Sequence, residues 1–341
     1  MSRPATLKDI AREVGVSVMT VSRALRLDPK VSPALQQKIQ LVATDLGYRP
    51  NPLVSALMSY RRAGKPEHYD LRLGFVTSFT TRDGWKKHRL YREFFDGVAV
   101  GADRHGYHLE DFWLAEPGMT SERMVQILMT RNIPGVVFAP LPEPEGRLHF
   151  NCGGFAAVAI GYSIQEPAMH RVSNYQFRSM RLLLHKLAAL GYKRPGLALP
   201  QSLDDRVLHQ WLGGFLVEQP YRSSIRSPSF ILPDASWTRE KFERWIDRRQ
   251  PDVVIGQQDE LLEWLRASGR RVPEDIGFAH LDCPALNGEL SGIYQNGPQI
   301  GVAAADMLVG LLHRNERGTP LLPSTLLIEG SWVAGKTVRD R

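Results

Sequence analysis

The chain has 341 residues, 43% of them hydrophobic, with 43 Lys and Arg against 36 Asp and Glu and two cysteines. That length holds two or three domains with real cores, no apolar run approaches the ~18–20 residues of a membrane span, and residues 2–14 are too charged for a signal peptide. The net charge of +7 is unevenly spread, because residues 1–65 carry eleven basic residues against four acidic ones and the rest of the chain is neutral. A basic excess confined to one small module is a footprint for a polyanion. A membrane surface would ask for a long basic amphipathic helix, which the module lacks. Cys152 and Cys283 lie far apart without metal-ligand spacing, which fits a reduced cytoplasmic protein.

Inside the basic module, Leu7, Ile10, Ala11 and Val14 fall at i, i+3, i+4 and i+7, the stripe of a first helix. Thr6 precedes it as an N-cap, and Asp9 three residues on can close an acidic capping box. Gly15 can take the left-handed conformation that stops the helix, Val16 fills the corner, and Ser17 caps a second helix facing inward through Val21, Ala24 and Leu25. Two short helices across a glycine turn make either an ordinary helical hairpin or a helix-turn-helix whose second helix enters a major groove. Ser32-Pro33 then starts a third helix marked by Leu35, Ile39, Val42 and Leu46, ending at Gly47.

The strings TLKDIAREVGVSVMTVSRAL (residues 6–25) and LGYRPN (residues 46–51) resemble the headpiece of the lactose-repressor (LacI/GalR) family of bacterial transcription regulators. The resemblance is dense over residues 1–50 and looser beyond them. It implies an all-α helix-turn-helix headpiece on double-stranded DNA. Thr6, Ser17, Thr20 and Ser22 can offer hydroxyls or helix-start amides to phosphates, which set register rather than sequence. Val18 and Met19 occupy the first positions of the recognition helix; lacking donors, they read shape and thymine methyls. Arg23, one turn on, either pairs a guanine edge, worth ~1–3 kcal/mol of discrimination, or contacts a phosphate. Asn51 closes the DNA-facing set. Residues 51–70 are implied to be a hinge helix and linker. The hinge, 52–60, is too short to hold a helix alone, since isolated helices below ~12–15 residues are marginal. Leu57 there matches the family's wedge into a central base step, or else packs on the core. Two hinges at one kink imply a homodimer on a pseudo-palindromic operator.

Beyond the linker, short apolar runs alternate with amphipathic stretches. Strands are predicted at 71–79, 108–114, 135–139, 156–160, 196–199, 229–232, 252–255, 276–281 and 325–328. Helices are predicted at 86–104, 121–131, 176–190, 204–218, 238–249, 259–268 and 299–314. This alternation specifies parallel sheets covered by helices, with too many strands for one sheet. The resemblance implies an α/β periplasmic-binding-protein-like core of two doubly wound lobes joined by three crossovers. Lobe 1 is expected at about 71–162 and 293–320, lobe 2 at about 163–292 and 321–335. Ligands in such sheets sit at the carboxyl ends of the strands, which the cleft between lobes collects.

Five residues are candidates for a small effector. Gln258-Asp259 stands where the family often has Asn-Asp, so Asp259 either accepts sugar hydroxyls or caps the helix it starts. Arg206 lies in the loop after Pro200, and Trp211 occupies the family's usual arginine column, where it can stack a sugar ring. Phe79 and Gln295 are placed by position. Tyr175-Gln176 replaces the family's Asp-Asn, so ligand chemistry does not transfer directly.

Residues 330–337, GSWVAGKT, spell a phosphate loop, but four residues follow and a phosphate loop needs a helix there. His105 and His108 flank a turn, and neither G-x-S-x-G nor H-E-x-x-H occurs. No catalysis, cofactor or metal is expected. The expected function is a sequence-specific DNA-binding regulator, a repressor whose operator affinity responds to a carbohydrate-like effector. The alternatives are an activator or dual regulator with a non-sugar effector and, more remotely, a sugar-binding transport receptor.

Overall fold

The computed structural model describes residues 6–25, 31–46, 48, 71–143, 146–222, 228–284 and 288–339. Two compact units divide the chain at residues 69 and 70. Asn51, Leu57 and the expected hinge fall outside the described residues.

In the first unit, α1 (Leu7–Val14), α2 (Val18–Ala24) and α3 (Pro33–Asp45) form a small bundle. The capping box closes: the Thr6 amide and hydroxyl both donate to Asp9 Oδ2, at 2.8 and 2.6 Å. Gly15 has φ +77°, a conformation costly for any residue with a Cβ. Ser17 Oγ accepts the Thr20 amide at 3.1 Å, satisfying one orphan donor at the start of α2. Ile10, Val21, Ala24 and Ile39 are completely buried, and Ala11, Val31 and Ala43 join them. Leu46, expected on the inner stripe of α3, is exposed. It is the C-cap of that helix, and Ala43 takes the inner position.

The second unit holds fourteen strands among the described residues: β1 (Arg72–Thr77), β2 (His108–Trp113), β3 (Gly135–Phe138), β4 (Gly146–Arg147), β5 (Ala156–Ile160), β6 (Ile164–Glu166), β7 (His170–Asn174), β8 (Pro195–Pro200), β9 (Ser229–Leu232), β10 (Val253–Gly256), β11 (Gly277–His280), β12 (Ser291–Tyr294), β13 (Thr325–Ile328) and β14 (Ser331–Val333). One sheet runs β13-β7-β5-β3-β1-β2, a second runs β14-β12-β11-β10-β8-β9, and β4 pairs β6. All pairs in the first sheet are parallel, and in the second only β12 with β14 is antiparallel. Every residue of β3, β5, β10 and β11 is buried, because helices cover both faces.

The sheets exchange chain after β7, β12 and β13. This corrects the expected lobe boundaries. His170–Asn174 and Thr325–Ile328 belong to the first sheet, and Ser291–Tyr294 belongs to the second. The short pair β4 and β6 was not predicted, nor, within the two large sheets, were β7, β12 and β14, of which β7 and β12 are the internal strands. β7 and β12 read HRVSN and SGIY, too short and mixed to show a period, and their backbone pairing reveals them. The predicted helix at 204–218 is two: Gln201–Asp205 and Gln210–Arg222, separated at Leu208 and His209, both with positive φ.

The helices Arg89–Arg104 and Gly297–His313 approach backbone to backbone. A Cβ on Gly97 would stand 2.1 Å from the Pro298 carbonyl oxygen, and one on Gly301 2.3 Å from that of Phe94. Gly97→Ala is therefore expected to force the pair apart, at a cost of about 1–3 kcal/mol or more. A lowered midpoint of chemical denaturation checks it.

The phosphate-loop lookalike is structural. Part of it is β14, the Thr337 hydroxyl accepts the Ser291 amide at 2.9 Å, and Lys336 pairs with Glu289. No helix of the described residues is long and apolar enough to cross a membrane.

Candidate functional site

The first unit presents one face of α2. Val21 and Ala24 turn into the core, which leaves Val18 40% and Met19 58% exposed at the start of the helix, with Arg23 also exposed one turn along. The small hydroxyls behave less uniformly than expected. Thr6 keeps its hydroxyl inside the capping box, and Ser17 Oγ contacts both the Thr20 amide and the Thr20 hydroxyl, the latter at 2.9 Å. Thr20 and Ser22 are half-buried. Hydroxyls that hold the helix ends in place leave α2 to project its first turn and Arg23 outward.

The second unit has a cavity of about 650 Å³ at the carboxyl ends of both sheets, inside the ~300–1,000 Å³ range of small-molecule sites. Phe79, Arg206, Trp211, Asp259 and Gln295 all line it. The fold thus brings together five residues scattered over 217 positions of sequence, from 79 to 295 counted inclusively. Their polar atoms are not equally available. Trp211 Nε1 donates to Gln176 Oε1 at 2.8 Å, Gln176 Nε2 to Gln295 Oε1 at 2.9 Å, and Gln295 Nε2 to the Leu281 carbonyl at 3.3 Å. This amide relay leaves Trp211 and Gln295 as shaped walls rather than hydrogen-bonding arms. Phe79 meets Tyr91 edge to face, ring centroids 5.0 Å apart, which makes the opposite wall aromatic.

Arg206 crosses the cleft. From the second lobe its guanidinium donates to the Leu141 carbonyl at 2.7 Å, to the Pro142 carbonyl, and to the Tyr91 hydroxyl at 3.4 Å. Asp259 is exposed at the cavity, and its carboxylate makes no capping hydrogen bond although it stands at the N-cap of the helix Glu260–Ala267. It lies 3.4 Å from His280 Nε2 instead.

A buried charge cluster was missed by the sequence reading. Arg89, from the first lobe, pairs with Glu93 at 2.6 Å and reaches across to Asp282 Oδ1 at 2.6 Å. Burial pushes the Asp282 carboxyl up to about 6, overcoming the pull of Arg89. Burial also lowers the neighbouring His280 to about 4, against the attraction of Asp259. Desolvation penalises the charged form, so the acid moves up and the base moves down. The only signal in the sequence was a His and an Asp at the end of an apolar strand, in the run FAHLDC. The two thiols are buried and inert, with Cys152 pushed up to about 11 and Cys283 to about 12. No group of three or more His, Cys, Asp or Glu among the described residues could hold a metal.

Comparison with known proteins adds a lineage to this geometry. Residues 6–51 match the family described as bacterial regulatory proteins, lacI family, and residues 184–337 match the periplasmic binding protein-like domain. The chain is 30% identical over 333 residues to the HTH-type transcriptional regulator GntR of Escherichia coli (strain K12), covering 92% of this chain and 93% of that protein. It is 24% identical over 354 residues to the HTH-type transcriptional repressor CytR of the same strain, covering 96% of each. Among solved structures it is similar in fold to a transcriptional regulator CelR–cellobiose complex, with a TM-score of 0.54, 19% identity, and coverage of 98% of this chain and 99% of the other. The Lac repressor dimer bound to operator and the anti-inducer ONPF gives the same TM-score, identity and coverage.

Proposed function

The chain belongs to the lacI family of bacterial regulatory proteins, DNA-binding regulators of transcription, and from that premise we propose that it is a cytoplasmic, homodimeric repressor released or tightened by a carbohydrate-like effector. The observation that carries the reading is the exposed first turn of α2. A seven-residue helix holds its inner face in a closed core while Val18, Met19 and Arg23 face outward, from a module with eleven basic residues against four acidic ones. That combination suits a major groove: the charge draws the phosphates, and a few side chains reach the base edges.

The effector half rests on the cavity. Its walls come from both lobes, so whatever fills it acts on the angle between them. The similar CelR structure holds cellobiose, and the similar Lac repressor structure holds operator and ONPF. In our reading Arg206 and Asp259 supply polar contacts, while Trp211, Phe79 and Gln295 shape the space. Ser17, Thr20, Ser22 and Thr6 steady the headpiece at phosphates. Asn51 and the Leu57 wedge complete the operator contact, and effector binding alters DNA affinity by moving the two hinges of the dimer relative to one another.

A thermal-shift screen against neutral sugars, alditols and sugar phosphates tests the effector half. Ligand at 100 times its Kd stabilises by ~2.7 kcal/mol, roughly 5–10 °C for a unit of this size. A hit that weakens in Trp211→Ala and Asp259→Ala supports the assignment. A hit unaffected by both variants places the ligand elsewhere, and a blank panel removes the carbohydrate effector.

A further inference from the structure

The chain crosses between the two large sheets after β7, β12 and β13, and side-chain amides tie these three crossings together. Asn174, the last residue of β7, donates from Nδ2 to the carbonyls of Gln295 at the second crossing and Ile328 at the third, each at 3.1 Å. Its Oδ1 accepts the Ser179 hydroxyl at 2.8 Å. Asn296 donates from Nδ2 to the Glu329 carbonyl at 2.6 Å and to Ser331 Oγ at 3.0 Å, which joins the second crossing to the third. The third also lies hard against its neighbours, since a Cβ on Gly330 would stand 2.6 Å from Ser179 Oγ and 2.7 Å from Ile293 Cγ2. Asn174, Gln176, Ser179 and Gln295 are at most 4% exposed, a setting in which unmade hydrogen bonds are costly. Gln176 connects this knot to the cavity. Its Oε1 takes the indole proton of Trp211, and its Nε2 donates to Gln295 Oε1, whose own Nε2 ends on the Leu281 carbonyl. An indole N–H only donates and a main-chain carbonyl only accepts, so the direction of the relay is set from both ends. Gln176 must therefore accept with one atom and donate with the other, which neither a carboxylate nor an apolar side chain of its length does.

Building on the effector reading above, we propose that Gln176 is the positioning residue of the effector response, fixing the Trp211 wall of the cavity to the joint of the three crossings so that they shift together when a ligand packs on that wall. An effector against the indole acts through two hydrogen bonds on Gln295, and through Gln295 and Asn174 on the first and third crossings. Movement of one lobe against the other is what such a joint controls, because a few element-terminal residues absorb the change in a hinge. Trp211, Gln176 and Gln295 all line the cavity. The sensing wall and the joint are thus one hydrogen-bonded body, with no long path between them.

Two measurements on the full chain test this. Gln176→Met removes both bonds at similar side-chain length, and Trp211→Phe keeps an aromatic wall without the N–H. Each cuts the same link from one side, so one serves if the other fails to fold. By hydrogen–deuterium exchange, each variant should speed exchange about 5- to 150-fold in all three segments 172–178, 292–298 and 326–332, the effect of leaving a buried partner unmade. Faster exchange confined to the segment that carries the substitution overturns the proposal. The second measurement is operator affinity with and without saturating glucose, cellobiose or sorbitol. Where one of these changes wild-type operator affinity, by the roughly 5- to 150-fold usual for coupled sites, the ratio should fall to about twofold or less in both variants. An unchanged ratio overturns the role of Gln176 and leaves the cavity as the effector site. If none of the three alters wild-type operator affinity, the carbohydrate reading fails by itself, and the exchange pattern still decides whether the wall and the crossings are joined.

Discussion

Arg89→Ala is expected to destabilise the larger unit by about 3–5 kcal/mol at neutral pH, the typical cost of stripping one partner from a buried ion pair. Arg89 is the cation between Glu93 and Asp282, at 2.6 Å from each, and Asp282 is buried. Without Arg89, two carboxylates remain with no counter-charge at the junction of the lobes. Asp282, already pushed up to about 6, can escape by taking a proton. The loss should therefore be smaller at pH 5 than at pH 7.5. Urea denaturation at both pH values checks it, and an equal loss at both would mean that Asp282 does not carry the penalty.

The same cluster has a defined pH signature. Asp282 is raised from 3.8 to about 6, so its contribution is present below pH 4 and lost as pH rises through about 6. His280 is lowered from 6.5 to about 4, so its contribution is present above pH 6.5 and lost as pH falls through about 4. Each slope is about 1.4 kcal/mol per pH unit where it acts. Between pH 4 and 6 the two oppose one another, and the wild-type profile should owe little net slope to the pair. Asp282→Asn should unmask stability that rises with pH over that window, and His280→Phe stability that falls.

Operator affinity should drop steeply with salt, by on the order of 10³–10⁵ between 50 and 200 mM for a protein contacting roughly six to ten phosphates. The basis is the charge excess of residues 1–65, eleven basic against four acidic. Within that response Arg23 has a diagnostic behaviour. If it reads a guanine, Arg23→Ala should cost about 1–3 kcal/mol on operator and little on random DNA, leaving the salt slope intact. If it holds a phosphate, all sequences weaken alike and the slope falls by about 0.9. Anisotropy titrations on operator and scrambled duplexes at four salt concentrations separate the two. A flat salt response would contradict the electrostatic reading of the headpiece.

The parts legible in the sequence share a property: they depend on neighbours within a few positions. Thr6 caps α1 because Asp9 is three residues away, Gly15 ends it because only the local backbone is involved, and Val18 with Met19 must face outward once Val21 and Ala24 face in. Alternating apolar runs likewise announced two helix-covered sheets, since each strand's burial is written in its own composition. Leu46 was misplaced because the stripe on α3 ends with the helix itself.

The cavity was legible only as a list of members. Phe79, Arg206, Trp211, Asp259 and Gln295 do line one space, but which of their atoms are free was decided by long-range partners. Trp211 and Gln295 meet through Gln176, and Arg206 is drawn to carbonyls 64 and 65 residues away. The sheet membership of β7, β12 and β13 was decided the same way, by backbone ladders that short segments do not advertise.

By itself, then, the sequence determined a basic three-helix headpiece with one outward-facing helix and a two-sheet α/β core, because capping, glycine turns and periodicity are local physics. Only the tertiary structure made Arg89, His280 and Asp282 a site. Arg89 and Asp282 are 193 residues apart. Burial of Asp282 and His280 where the two lobes meet, with Arg89 reaching across to Asp282, shifts their protonation, and burial belongs to the folded chain as a whole.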